Sequence, residues 1–327
     1  MKKIISVLIV IIAGIVLLAT CTPKGTEGKE PQYPTKALNI VVPYAPGGAS
    51  DTVARIYAKE LQTLIGGKPV TVTNLTGASG AKGLEFVKNS PADGYTLAYM
   101  PVESTMIKAL GFTDVSNADF KFVCRVMTIP AAVTVSASAP YNTLQEFIEY
   151  AKKNPSKIKV GNSGTGSIWH VAAASLEQKA GIKLNHVPFD GAAPAVTALL
   201  GGNIDAVTVS PSEVKTHVDS GKFKVLAILS DKHSSVVPDV KTAKEQGFDV
   251  IAQGWGGFAV PKNTPAEIIE YLDGISEKAV NSESVKKLLK DRGFEFAYLH
   301  GKDMDTVAQK ELNNYGTLIP KLNIIQK

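Results

Sequence analysis

The chain has 327 residues, of which 44% are hydrophobic and 20% charged. That leaves room for two domains of ordinary size with ample core, and it excludes a disordered chain. The net charge of +5 comes almost entirely from scattered lysines, the only arginines being Arg55, Arg125 and Arg292. Without Arg forks or a basic block beyond the N-terminus, no nucleic-acid partner is expected.

Met1-Lys2-Lys3 is a basic start, and Ile4 to Leu18 is an apolar run too short for a comfortable membrane span, which needs roughly 20 residues. The pattern is that of a secretion signal. It ends Leu18-Ala19-Thr20-Cys21, which resembles a bacterial lipobox with Thr in place of the usual small residue before the Cys. Residues 1–21 are therefore expected to be a lipoprotein signal, with Cys21 lipidated and holding the protein at the membrane. Residues 22–33 read as a flexible tether. Cys124, the only other cysteine, then has no partner in the chain and reads as a small buried residue.

The first strand is the β-branched run Leu38 to Tyr44. Gly47-Gly48-Ala49-Ser50-Asp51 follows, and Thr52 to Leu64 carries apolar residues at helical spacing. A glycine-rich turn between strand and helix leaves the first helical N–H groups unpaired, at the positive end of the helix dipole, where an anion can bind without Lys or Arg. The alternative is an ordinary turn capped by Ser50 or Asp51. Val70 to Thr73 is a second strand, Asn74 to Gly83 a second glycine-rich loop, and Tyr95 to Met100 a third strand after the turn Asn89 to Gly94.

Phe120 to Arg125 and Ala132 to Ser136 are two extended runs, with a crossing between domains expected around Thr128-Ile129-Pro130. A second series follows. Thr143 and Glu146 form a capping box. Ile158 to Val160 and Leu184 to Val187 are strands bracketing a helix from Trp169 to Lys179. Each strand leads into a turn, Gly161 to Ser167 and Asp190 to Pro194, that opens a helix. Ile204 to Ser210 and Lys224 to Leu229 are further strands, and Val250 to Val260 is a glycine-rich run that could cross back. Thr264 and Glu267 suggest another capping box. Helices ending near Val280, over Ser282 to Asp291 and from Asp303 close the chain. The alternation argues for an α/β protein whose parallel sheets carry helices on both faces. Residues 34–128 with 251–327 are expected to form domain 1, and residues 129–250 domain 2.

The chemistry for catalysis is thin. Gly161 to Ser167 has P-loop glycine spacing but Ser167 where Lys is needed. Around Ser163 there is no Gly-x-Ser-x-Gly elbow. A Ser163–His170 pair stays open, beside the plainer reading of a structural His. The five histidines are dispersed and make no ligand set, so no metal and no cofactor is expected. Asp190, Asp205 and Glu213 could supply an acid/base pair, but Asp190 reads more simply as a helix cap and Asp205 as mid-strand. Trp255 reads either as a core anchor or as a lid. Three helix openings, together with Ser and Thr, suit a binder of small carboxylates, since N–H bonds to a carboxylate are short and worth about 1.5–3 kcal/mol each.

Pro43-Tyr44-Ala45-Pro46-Gly47-Gly48-Ala49-Ser50-Asp51 resembles the P-[FY]-x-P-G-G-x-x-D signature of the extracytoplasmic solute receptors of tripartite tricarboxylate transporters, the Bug family. Asn74 to Gly83 resembles its N-x-x-G-A-x-G loop, and Pro91 to Leu97 its P-x-D-G-Y-T-L turn. Ser163 to His170, His186 to Phe189 and Gly191 to Ala195 resemble its second-domain loops. The resemblance runs from about Tyr33 to the C-terminus. It implies a two-domain type II periplasmic-binding-protein fold and a di- or tricarboxylate cargo, with no catalysis. Cargo would be held by Tyr44, Gly47, Gly48, Ala49, Ser50, Asp51 and Asn74 from one side. Ser163, Thr165, Ser167, Gly191, Ala192 and Ser210 would answer from the other. The implied partners are a large and a small membrane subunit of a secondary transporter, served by a monomer. An exported Ser/His hydrolase and a sensor for a signalling kinase are the rival readings.

Overall fold

The computed structural model describes residues 33–322 and 324. The expected signal, Cys21 and the tether through residue 32 lie outside the described residues. The first half contains β1 (Leu38–Val42), α1 (Ala49–Leu64), β2 (Val70–Asn74), α2 (Ala81–Lys88), β3 (Thr96–Pro101) and β4 (Phe120–Ser136). Then come α3 (Leu144–Lys153), β5 (Lys159–Asn162), α4 (Ile168–Ala180), β6 (Asn185–Pro188), α5 (Ala192–Leu200), β7 (Ala206–Val209), α6 (Pro211–Asp219) and β8 (Phe223–Leu229). The chain ends with β9 (Gln253–Pro261), α7 (Ala266–Asn281), α8 (Glu283–Asp291), β10 (Glu295–His300) and α9 (Gly301–Leu318).

The strands order as β2-β1-β3-β9-β4-β7-β5-β6, with β8 and β10 also pairing with β4. β1 is parallel to β2 and β3, and β5 is parallel to β6 and β7. Each triplet is a strand-helix-strand series whose helices cover the sheet, as the alternation requires. Antiparallel strands complete each lobe. β9 and β10 join the first, and β8 joins the second. The fold is the predicted α/β class.

Its central member is β4. The two extended runs expected near the middle are one strand, and Thr128-Ile129-Pro130 lies inside it. Phe120 to Pro130 pairs with β9, and Ala131 to Ser136 pairs with β8. The glycine-rich run after Val250 is likewise strand β9, and its glycines make room. A Cβ on Gly256 would fall 1.7 Å from the Tyr99 hydroxyl, and one on Gly257 2.2 Å from the Cys124 carbonyl oxygen. Cys124 is fully buried and unpaired, and burial pushes its thiol up.

α1 buries Val53, Ala54, Tyr57, Ala58 and Leu61, the stripe expected from its spacing. Tyr57 stacks on Phe258 at 3.9 Å, with its hydroxyl 2.5 Å from Ser276 Oγ of α7. Burying such a ring is worth about 1.5–3 kcal/mol, so the C-terminal helices are tied to the first lobe. Two local expectations are corrected. Thr264 does not cap α7: its hydroxyl bonds the Pro261 carbonyl, and Pro265 is the cap residue. Asp205 lies just before β7, where its carboxylate accepts the Lys159 N–H at 2.8 Å.

Candidate functional site

Three helix N-termini meet where the lobes touch. At α1 the cap residue is Gly48, extended, with no side chain to satisfy the first N–H groups; Gly47 before it has φ +88°. The Ala49 N–H donates to Glu213 Oε1 at 3.0 Å. Glu213 comes from α6 in the other lobe, where its second oxygen accepts the Ser210 N–H at 3.0 Å and the Ser210 hydroxyl at 2.8 Å. At α4, Ser167 caps by accepting the His170 N–H at 3.2 Å, while the Ile168 N–H donates across to Glu103 Oε1 at 2.9 Å. Glu103 follows β3 of the first lobe. At α5 the cap is Gly191, φ +154°, with no side-chain bond, and the preceding Asp190 carbonyl accepts the Ala45 N–H at 3.1 Å. The expected Asp190 cap is therefore not formed.

These ends border a small cavity of about 40 Å³. Its wall includes Tyr44, Gly48, Ala49, Ser50, Ser163 and Ala192 from the predicted set. Glu103, Glu213, Tyr99, Met127, Trp169 and Trp255 complete the chemistry. Among the described residues no Lys, Arg or His lines it. Burial raises the Glu103 carboxyl to about 6, against the pull of the Ile168 N–H, and burial also raises Glu213. The Tyr44 hydroxyl donates to the Ser79 carbonyl at 3.1 Å and lies against Glu103; Tyr99 bonds Ser50. Trp255 serves as a core anchor whose ring reaches the cavity. It packs edge-on to Phe122 at 5.9 Å, and its Nε1 donates to Glu311 at 2.5 Å.

The remaining predicted residues stand one layer back. Asp51 takes Arg55 through both its oxygens, at 3.0 and 2.8 Å, the Gly47 N–H at 3.0 Å and the Asn74 amide at 3.0 Å. Burial pushes its carboxyl up, but these four bonds outweigh it and hold it below the usual range. Gly47, Asp51 and Asn74 thus shape the α1 turn rather than wall the cavity. Ser167 and Ser210 are helix caps. Thr165 offers its carbonyl to the Ser79 hydroxyl at 2.6 Å and faces a larger, open groove of about 1560 Å³ on the outer side of that contact.

The Ser163–His170 pair is not formed. His170 Nδ1 accepts the Gly166 N–H at 2.9 Å, and burial, with His186 beside it, lowers its pKa to about 4. Among the described residues no group of three or more His, Cys, Asp or Glu could hold a metal ion.

Sequence reasoning missed Glu103 and raised Glu213 only as an acid/base candidate, not as a helix-end acceptor. Glu213 had a signal: Ser210-Pro211-Ser212-Glu213 is a capping box with Pro at the first helical position, and the structure forms it. Glu103 had only its place beyond the carboxyl end of a parallel strand, where ligands bind in open α/β sheets.

Two lobes on a shared strand, with helix N-termini facing one another across a small cavity, define a solute-binding clamp. The chain belongs to the family of tripartite tricarboxylate transporter receptors: the TctC family model, described as Tripartite tricarboxylate transporter family receptor, matches residues 53–324. The family is one of receptors, not enzymes. Protein BugT of Bordetella pertussis is 30% identical over 268 residues, covering 80% of this chain and 81% of that one. A TctC solute-binding protein from Polaromonas is 38% identical, with a TM-score of 0.66 over 88% of this chain and 99% of the other. MatC from Rhodopseudomonas palustris, solved with bound malate, is 26% identical, with a TM-score of 0.82 over 88% of this chain and 100% of that one. Among the described residues no helix is long and apolar enough to cross a membrane.

Proposed function

We propose that the chain is a lipid-anchored receptor that captures a small organic carboxylate between its lobes and delivers it to the membrane subunits of a tripartite tricarboxylate-type transporter. The observation that carries this reading is the convergence of three helix N-termini on one cavity, two of which already hold carboxylate oxygens, at 3.0 and 2.9 Å. Backbone N–H groups at these positions take carboxylates without any cationic side chain. MatC's malate adds weight, since it is a carboxylate in a protein of closely similar fold. The N-terminal pattern ending in Cys21 supports the anchor.

A cavity of about 40 Å³ holds a few waters, at about 10–15 Å³ each, and is too small for an organic acid. Cargo therefore enters when the lobes part, and closure around it presents a changed surface to the membrane partner.

Thermal shift against a carboxylate panel tests the reading. At one hundred times Kd, binding stabilises by about 2.7 kcal/mol, a rise of about 5 °C or more. Ala192→Pro removes the first N–H of α5 at a position that tolerates proline, and should weaken binding by about tenfold or more. Cargo recovered chemically altered, or unchanged affinity in A192P, would sink the reading. Cys21→Ser should abolish acyl labelling and release the protein from the membrane fraction.

A further inference from the structure

The chemistry of the cavity is unequal between its anion sites and its acids. Of the three helix N-termini, α1 receives Glu213 and α4 receives Glu103; only α5, capped by a glycine, has no protein carboxylate on it. Glu103 is 3% exposed and Glu213 is part-buried, and Glu103 feels the charge of Glu213. Among the described residues no Lys, Arg or His on the wall offsets them. The wall instead carries the rings of Tyr44, Tyr99, Trp169 and Trp255, whose faces attract cations.

Resting on the carboxylate reading above, we propose that the cargo also carries a cationic nitrogen, held between Glu103 and Glu213 against the aromatic rings, with its carboxylate at the N-terminus of α5. The cargo class is an amino or quaternary-ammonium carboxylate. A dicarboxylate would bring its second acid towards Glu103 and Glu213 with no counter-charge on the wall, and the helix ends it needs are already occupied. A cation instead neutralises both. Because Glu103 belongs to the first lobe and Glu213 to the second, one ammonium group bridging them is recognised in full only when the lobes have closed. The same two side chains would then select the cargo and register its arrival.

Matched pairs test this by calorimetry at neutral pH: glutarate against 4-aminobutanoate and its trimethylammonium form, and adipate against 5-aminopentanoate. Each pair keeps one carboxylate and exchanges the other for a cation. The cationic member should bind at least about tenfold tighter. Glu103→Gln keeps the shape and an acceptor for the Ile168 N–H; it should cost the cationic ligands about tenfold and improve the diacids. Tighter binding of the diacid in both pairs would overturn this proposal and leave carboxylate capture standing. Cationic ligands that bind E103Q as well as the natural protein would also overturn it. Failure of both ligand classes to bind would overturn it together with the carboxylate reading. The comparison in the natural protein needs no variant to fold.

Discussion

The turns that open α1 and α4 serve the same end with opposite means. At α1 the cap is Gly48, which brings no side chain, so the first N–H groups wait for an outside acceptor and one of them finds Glu213. At α4 the cap is Ser167, which satisfies the third N–H itself and leaves the first for Glu103. Their glycines differ too. A Cβ on Gly48 would meet nothing nearer than Glu213 Oε1 at 3.5 Å, whereas one on Gly166 would lie 2.4 Å from Leu110 Cδ1, with φ already at +78°. One turn is open by chemistry and the other is packed by shape. Reciprocity is the lesson: each lobe lends a carboxylate to a helix of the other, so the contact is specific although no ion pair crosses it at these two points.

Substitutions can break that contrast. Gly166→Ala should be the most damaging, lowering stability by about 2–4 kcal/mol in urea denaturation, because steric overlap and an unfavourable φ act together. Glu213→Ala should follow at about 2–3 kcal/mol, since it strands the Ser210 and Ala49 N–H groups. Glu103→Gln should act with the opposite sign. Burial raises the Glu103 carboxyl from 4.5 to about 6, so the folded state binds this proton more tightly than the unfolded one. Its ionisation weighs against folding, and stability falls as pH rises through that window. The Gln variant should gain about 2 kcal/mol above pH 6, and the two proteins should converge below pH 4.5. A gain that persisted at low pH would assign the effect to packing. Smallest of all, Gly48→Ala should change stability by about 1 kcal/mol or less. A loss as large as that of G166A would erase the distinction between the two turns.

Much of this was legible in the sequence, where local signals are strong. β-branched runs before glycine turns gave the parallel strands, and the helical stripe of α1 gave its buried face. β4 was not legible as one element because Pro130 reads as a break: it has no N–H for a ladder. It is tolerated where the strand leaves one lobe for the other, opposite Gln253. Strand β10 (Glu295–His300) was missed because its burial is only partial and its pairing, with β4, is distant in sequence. For the cavity, the small-residue turns were visible, but Glu103 was not, and Glu213 stood out only as an acid/base candidate. Glu103 matters through Ile168, 65 positions away, and Glu213 through Ala49, 164 positions away. No local pattern encodes such meetings; they exist only once the lobes are folded together.

The place where β4 changes lobes has a mechanical consequence. There the chain runs out and back as a hydrogen-bonded pair, with Pro130 opposite Gln253 and the Ala131 N–H on the Ala252 carbonyl at 2.9 Å. If the lobes swing apart as proposed, the motion flexes a paired ribbon and need not melt a loop, so the backbone bonds can survive it. Such a joint behaves as a leaf spring. It would return to its rest angle once the load is gone, letting the emptied jaws realign without any step of refolding.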